Sequence, residues 1–506
     1  MGESALRLSV LDRAPISEGS TAPSFALSRW LFLRLLGVVY LVAFASLAVQ
    51  LTGLVGEHGL LPAAPFLEWA HSIYGREAYR LLPTLFWFGA GDMALQLVAW
   101  AGIALSILLI VGVAPVAVLA ALWVLYLSLT VAGQDFLSFQ WDALLLETGL
   151  LAVLWAPLGW FPRGKETPPS TVVRWLLVFL LFKLMFLSGL TKLLSGDPTW
   201  RHLTALDYHF ETQPLPTWVG WYAHQQPSII HRAETAVMFL IELGAPWLLL
   251  APSRLRRLRY VGVSALLLLQ TGIALTGNYG FFNMLAVVLC IPVLDDGLFR
   301  RVLPVDLVAE APEPRGWRTA IQVLAPVLFF LSALSLWAEI AYTIPGARGF
   351  GRVPGWATAA LGWVAPLRSF NGYGLFRVMT TERPELVVEG SRDGQHWQEY
   401  EFRYKPGPVT RAPSFVEPHH PRLDWQMWFA ALDPMSNLPL LQALSRHLLA
   451  GTPEVVGLLG RNPFPGEPPR FVRFAQYDYR FSTPAERSRT GAWWRRELVG
   501  YLPELR

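Results

Sequence analysis

Long apolar runs alternate with short polar stretches along most of this chain. They fall near residues 31–54, 92–112, 114–132, 137–158, 172–194, 232–251, 258–277, 280–295 and 319–342. A helix of about 20 apolar residues crosses a bilayer, so the pattern predicts a multipass α-helical membrane bundle of about nine spans. The run at 280–295 is short and is expected to be tilted or partly buried. Only Val113 and Pro115 punctuate the second and third runs, which predicts a tight helical hairpin. The first run, Leu31 to Leu54, is too long for the apolar stretch of a cleaved signal peptide and reads as a retained signal anchor.

Beyond Arg368 the pattern changes. Pro384 to Tyr404 alternates apolar and polar residues around a Ser-Arg-Asp-Gly turn, which predicts a hairpin. Arg470 to Ser482 alternates in the same way. Between them, Arg422–Leu432 and Leu438–Gly451 have helical spacing, the second closed by its glycine. The expected organisation is a cytoplasmic segment 1–30, a transmembrane helical domain 31–342, a linker with an interfacial helix 343–369, and a small extracytoplasmic α+β domain 370–506 with antiparallel strands.

Basic residues orient the bundle. With a cytoplasmic N-terminus, the inner segments hold Arg7, Arg13 and Arg29, Arg163, Lys165 and Arg174, the "SRLRRLR" turn from Ser253 to Arg259, and Arg300, Arg301, Arg315 and Arg318. The outer segments hold only Arg76, Arg80 and Arg201. The C-terminal domain is then outside.

Composition agrees. Charged residues make up 15% of the chain, against about a quarter in soluble proteins, and tryptophan, here 22 residues, favours the headgroup interface. A net charge of +4, with no basic patch interleaved with aromatics, argues against nucleic acid as a partner. Cys290 stands alone, so no intramolecular disulfide forms, and no N-glycosylation sequon or Walker-type loop occurs. Lysine appears only at Lys165, Lys183, Lys192 and Lys405, the remaining bases being arginine, which points to a GC-rich bacterial genome.

Charges within apolar runs are functional candidates, since each costs about 2.5–3.5 kcal/mol at mid-helix. Glu147, Lys183 and Glu242 fall near the midplane, and Asp142, Lys192 and Glu234 in the outer half. The expectation is ion pairing within each layer. The bland role is helix packing; the sharper one is a polar cavity opening outward with Lys183 or Lys192 as base or substrate contact.

The polar stretch Ser195–Pro216 follows Lys192 directly. A helix starting at Pro198 with Asp197 as N-cap is expected, placing His202 and His209 on one face. Asp197, Trp200, Arg201, His202, Tyr208, His209, Glu211 and His224 form a first outer cap. Asn278 and Tyr279 in "LTGNYGFFN" form a second, and "GQDFLSFQWD" (Gly133 to Asp142) a third. No histidine pair has tight metal-ligand spacing, so no metal and no cofactor is expected.

Six strings carry a resemblance: "FLSGLTKLLSGDPTWRHLTALDYHFETQPLP", "LTGNYGFFN", "NGYGLF", "VVEGSRDGQHWQEYEFRYKPG", "PHHPRLDWQMWFAAL" and "NPFPGEPPRFVRFAQYDYRF". In this order, from about Phe136 to the C-terminus, they resemble the lipase maturation factor family, here as a bacterial-type member. Animal members are endoplasmic-reticulum membrane proteins that help secreted lipases reach their active state, and are described as chaperone-like rather than catalytic. The resemblance implies exported client proteins such as lipases as partners, beside the lipid bilayer. It implies an endoplasmic-reticulum membrane by family, or the cytoplasmic membrane if the chain is bacterial.

Asn371, Tyr373, Arg422, Asp424, Trp425 and Trp428 are expected to serve client handling or domain integrity. Arg422 and Asp424 are too close in sequence to face each other on a helix and are expected to cap it or bridge to the strands. The rival is a membrane enzyme acting on a lipid-like substrate, distantly similar to the vitamin K-dependent carboxylase group. It would use Lys192 or Lys183 with His202 or His209, and expects a deep cavity lined by a lysine. A maturation factor instead expects no such cavity and an exposed apolar or aromatic surface on the C-terminal domain. A scaffold for other membrane proteins is a third reading.

Overall fold

The computed structural model describes residues 24–161, 167–301, 313–344 and 353–503. Most of segment 1–30, the bases Arg163 and Lys165, and Pro345 of the linker lie outside the described residues. The principal helices are α1 (Ala26–Ala48), α2 (Asp92–Val111), α3 (Pro115–Ala132), α4 (Gln140–Trp155), α5 (Thr171–Leu194), α6 (Ser228–Leu249), α7 (Arg256–Thr276), α8 (Phe282–Cys290), α9 (Arg315–Thr343) and α10 (Gly355–Val364). The C-terminal part adds α11 (Arg422–Leu432), α12 (Leu438–Ala450), β1 (Pro384–Ser391), β2 (Gln398–Tyr400), β3 (Phe471–Phe481) and β4 (Trp494–Tyr501). Shorter helices join them.

Each predicted apolar run contains a helix, but six of these, α1, α2, α3, α5, α7 and α9, are long and apolar enough to cross a membrane. The remaining three fall short of that standard for separate reasons. Helix α4 has 16 residues and α8 has 9, ending where Pro292 begins a tighter turn. Helix α6 is diluted by His231, Arg232, Glu234 and Glu242, and carries Pro246 inside it. Among the described residues, length and composition alone therefore single out six candidate spans and do not confirm the expected count of about nine.

The α2–α3 hairpin turns on Gly112 and Ala114, both left-handed, with φ of 90° and 40°. The Ala114 N–H is tied to the Trp160 carbonyl at 2.8 Å. Helices α1 and α2 approach closely because glycine leaves room: a Cβ on Gly102 would lie 2.3 Å from the Phe44 ring. Helix α10 exposes Trp356 and Trp363.

The sheet has the order β2-β1-β3-β4, with antiparallel pairing throughout. The predicted hairpin is β1–β2, in register Gly390 opposite Gln398, and its turn is held by the Ser391 and Asp393 side chains. Strand β4 is an element the sequence pattern did not flag. It forms an edge beside β3, which is bulged between Gln476 and Tyr477. Strand β1 packs on α11. One continuous buried cluster runs from Phe32 and Tyr40 in α1 through Trp141 and Trp425 to Leu386 and Phe474 in the sheet. Bundle and sheet thus share a core.

Candidate functional site: the seam between bundle and sheet domain

Arg422 opens α11, directly after Pro421. Its guanidinium forks onto Asp142 in the first turn of α4, Nη1 to Oδ2 at 2.5 Å and Nη2 to Oδ1 at 2.8 Å, and also donates to the Phe136 carbonyl at 3.0 Å. The Tyr126 hydroxyl donates to the same carboxylate at 2.5 Å. Arg422 therefore bridges to the bundle and not to the strands. Asp424 does reach the other side of the domain, accepting from the Tyr404 and Lys405 amides at 2.8 Å each. The C-terminal end of α1 and the turn after it grip the same segment: Ser46 accepts from the His420 amide at 2.9 Å, and Gln50 from the Arg422 amide at 3.0 Å. Trp425 packs edge-on against Trp141, ring centres 4.9 Å apart, and Trp428 donates to the Thr212 carbonyl at 2.9 Å.

A second contact lies deeper. Lys183 donates to Glu147 at 2.6 Å and to Ser332 at 2.8 Å. The other Glu147 oxygen accepts from the Tyr373 hydroxyl at 2.6 Å, and Asn371 donates to the Arg368 carbonyl at 3.0 Å. The "NGYGLF" segment thus dips into the bundle. The expected layer pairing is only partly realised. Lys192 crosses from the outer layer to Glu242, both oxygens at 2.8 Å. Glu234, two turns earlier on α6, is exposed and pairs with neither Lys183 nor Lys192, and it lines the cavity that Lys192 and Glu242 also line.

The polar cap is not one helix. Leu203 is left-handed at φ 60°, splitting the segment into Pro198–Arg201 and Leu206–Thr212. His202 and His209 therefore do not share a face: His202 and Arg201 are exposed, while His209 turns inward. Asp197 does cap, accepting from the Thr199 amide at 2.7 Å, and its second oxygen takes the Met379 amide at 2.6 Å. Trp200 donates to the Phe376 carbonyl at 2.9 Å, with the half-buried Tyr208 packed nearby. Glu211 accepts from the Phe481 amide at 2.9 Å. Asn278 donates to the carbonyls of Leu215 and Ser414 and accepts from the Val416 amide, all at 2.7–3.0 Å. Tyr279 donates to Gln213 at 2.7 Å, with His209 Nε2 3.3 Å from its oxygen. All three caps meet the C-terminal part.

Sequence reasoning missed Arg383, Glu385 and Glu417. Arg383 is fully buried, 2.8 Å from Glu385, and donates to the carbonyls of Glu211, Gln213 and Pro214. Lys405 adds a second base to Glu385 at 2.7 Å. The available signal was a glutamate and a lysine facing inward across a predicted hairpin. Glu417 accepts from the Tyr279 amide and from Asn283, yet burial pushes its carboxyl up to about 7. Burial lowers His224 to about 4 and raises Glu211, and the two side chains lie 3.6 Å apart. Burial, reinforced by the nearby Lys192 charge, lowers His209 to about 3.

Beside this seam, an open cavity of about 870 Å³ lies between α6 and α7, with Lys192, Glu234, Glu242, His209 and Gln270 in its lining; the maturation-factor reading did not expect a lysine-lined cavity, and the enzyme reading did. Among the described residues no cluster of three or more His, Cys, Asp or Glu could hold a metal ion.

A helical bundle with membrane-spanning helices, closed at one end by its own sheet domain through a buried ion pair and buried hydrogen bonds, defines the class: an integral membrane protein with a fused C-terminal domain. Residues 27–301 match the family profile of the lipase maturation factor transmembrane domain, and residues 369–503 that of the lipase maturation factor C-terminal domain. Human lipase maturation factor 2 is 37% identical across 94% of this chain and 82% of its own length. Lipase maturation factor 1 from mouse is 34% identical (96% and 88%), and that from cattle 36% (96% and 90%). The chain belongs to the lipase maturation factor family. No solved structure matches it.

Proposed function

We propose that this chain is a membrane-embedded maturation factor that assists folding and assembly of secreted proteins, lipases among them. Membership of the family carries the reading. The arrangement of charge supports it: the arginines of Ser253–Arg259 lie at one end of α7, and Asn278, just beyond the other end, donates to the Ser414 carbonyl of the C-terminal part. Under the positive-inside rule, that part faces away from the cytoplasm, where exported clients are. In this topology α4, α6 and α8 complete nine spans, the N-terminus is cytoplasmic, and the parts 1–30, 31–342, 343–369 and 370–506 keep their assigned compartments. The host membrane is the endoplasmic reticulum by family, or the cytoplasmic membrane of a bacterium.

Edge strand β4 supplies the working surface. Leu498, Val499 and Tyr501 are exposed there, with Phe471 on the neighbouring strand. An open edge with apolar side chains accepts an extended client segment by strand addition. Lys183 and Lys192 act as structural charges, since carboxylates hold both.

The test is secretion of active lipase from cells lacking the protein. Active enzyme in the medium is expected to fall several-fold at constant transcript. Wild type restores it, and a Leu498→Asp, Val499→Asp double variant made at normal membrane level does not. Undiminished secretion without the protein would sink the reading.

A further inference from the structure

The cavity between α6 and α7 has a polar inner wall and an apolar mouth. At one end the helices touch, a Cβ on Gly262 falling 3.1 Å from the Ala245 carbonyl oxygen. Toward the other end they part around the cavity, whose outer lining includes Ile229, Val237, Leu268 and Leu275, all exposed. On a spanning helix such residues face hydrocarbon chains. The inner wall carries Lys192, Glu242, Gln270, His209 and Tyr279.

Among the described residues, three buried polar atoms of the lining side chains have no hydrogen-bond partner: Gln270 Oε1, His209 Nδ1 and Gln226 Oε1. Gln270 is 3% exposed, and the nearest partner of its amide nitrogen is Met185 Sδ at 3.7 Å. Tyr279 gives its proton to Gln213, so His209 directs its Nε2–H at the tyrosine oxygen and leaves Nδ1 as an acceptor. A buried polar group left unmade is destabilising, so a ligand that can donate would complete the wall. Lys192 and Glu242 neutralise each other, and Glu234 adds a further carboxylate to the lining, so an anionic ligand is disfavoured. The volume lies in the ordinary range for small-ligand sites, about 300–1,000 Å³.

We propose that this cavity binds a neutral, hydroxyl-bearing lipid, its polar end against Gln270 and His209 and its hydrocarbon tail leaving between α6 and α7 into the bilayer. The site is independent of the maturation reading and is tested without a client. The full chain in phosphatidylcholine nanodiscs is irradiated with 1-oleoylglycerol carrying a diazirine in its chain. Label is expected on the α6 and α7 peptides, competed by unlabelled 1-oleoylglycerol and not by oleate. Gln270→Leu should cut labelling several-fold while the unfolding midpoint holds or rises. Gly272→Trp should do the same by blocking the mouth, because nothing lies within 4 Å of a Cβ there and the fold is undisturbed. Label spread evenly over all spanning helices, or unchanged in both variants, overturns the site. Equal competition by oleate overturns the neutral polar end, and crosslinking only to an added apolar peptide overturns the lipid.

Discussion

The charge on Arg422 is the most consequential at the residue scale. It is 1% exposed and shares Asp142 with Tyr126. Removing one partner of such a pair leaves the other buried and unpaired, at a cost of about 3–5 kcal/mol. Arg422→Met is expected to lose that much in unfolding of the purified protein in detergent, and Arg422→Met with Asp142→Leu to recover part of it. A single variant as stable as wild type would refute the pairing. Glu417 adds a pH dependence. Its folded value, about 7, lies above the ordinary carboxylate value of about 4.3. The folded state therefore holds the proton more tightly. The stability this provides is complete below the ordinary range and is lost as pH rises through about 7. Over that interval the unfolding midpoint of wild type should drop relative to Glu417→Gln. At this scale the sequence marked Asp142, Glu147, Lys183, Lys192 and Glu242, which all find partners, together with Glu234, which is exposed and pairs with neither lysine. It did not reveal that the partner of Asp142 lies 280 positions away.

Short irregular joints decide the outcome at the element scale. Gly280 is left-handed at φ 63°, and a Cβ there would sit 2.9 Å from the Cβ of His420. Gly280→Ala therefore meets both backbone strain and a clash, and should destabilise by more than about 1 kcal/mol, read as a fall in the unfolding midpoint. The glycine-rich turn itself was legible from sequence, since Gly277, Asn278 and Gly280 leave no other option. The break at Leu203 was not, because a leucine in a left-handed conformation has no local signature and is held by Trp200, Phe376 and their neighbours in a small satellite cluster. Strand β4 was unflagged for a related reason. "WRRELVGY" does not alternate, as an edge strand solvated along most of its length has no buried face to impose a period of two.

The molecule as a whole behaves as one folding unit. Arg383, Arg422 and Trp428 of the C-terminal part each satisfy polar groups on, or are satisfied by, the helical part. Residues 369–503 expressed alone should therefore lack a stable fold, seen as rapid amide exchange throughout the sheet. Slow exchange in the isolated fragment would show that the shared core is dispensable. Reporter fusions test the orientation: one after Pro252 should be active in the cytosol and one after residue 503 only outside it. Activity in the same compartment would rule out the proposed topology.

The sequence by itself determined the helical membrane architecture, the α+β tail, the asymmetry of arginine and five of the charges that are buried in the bundle, Asp142, Glu147, Lys183, Lys192 and Glu242. These follow from local hydrophobicity, turn chemistry and electrostatics, which act over a few residues or across a bilayer. Tertiary structure alone decided that Lys192 pairs with Glu242, that Arg422 locks onto Asp142, that "NGYGLF" plugs the bundle, and that α6 and α7 part to leave a cavity. Those outcomes depend on which helix faces meet. Among many near-equivalent pairings, only the packing of the whole chain selects one.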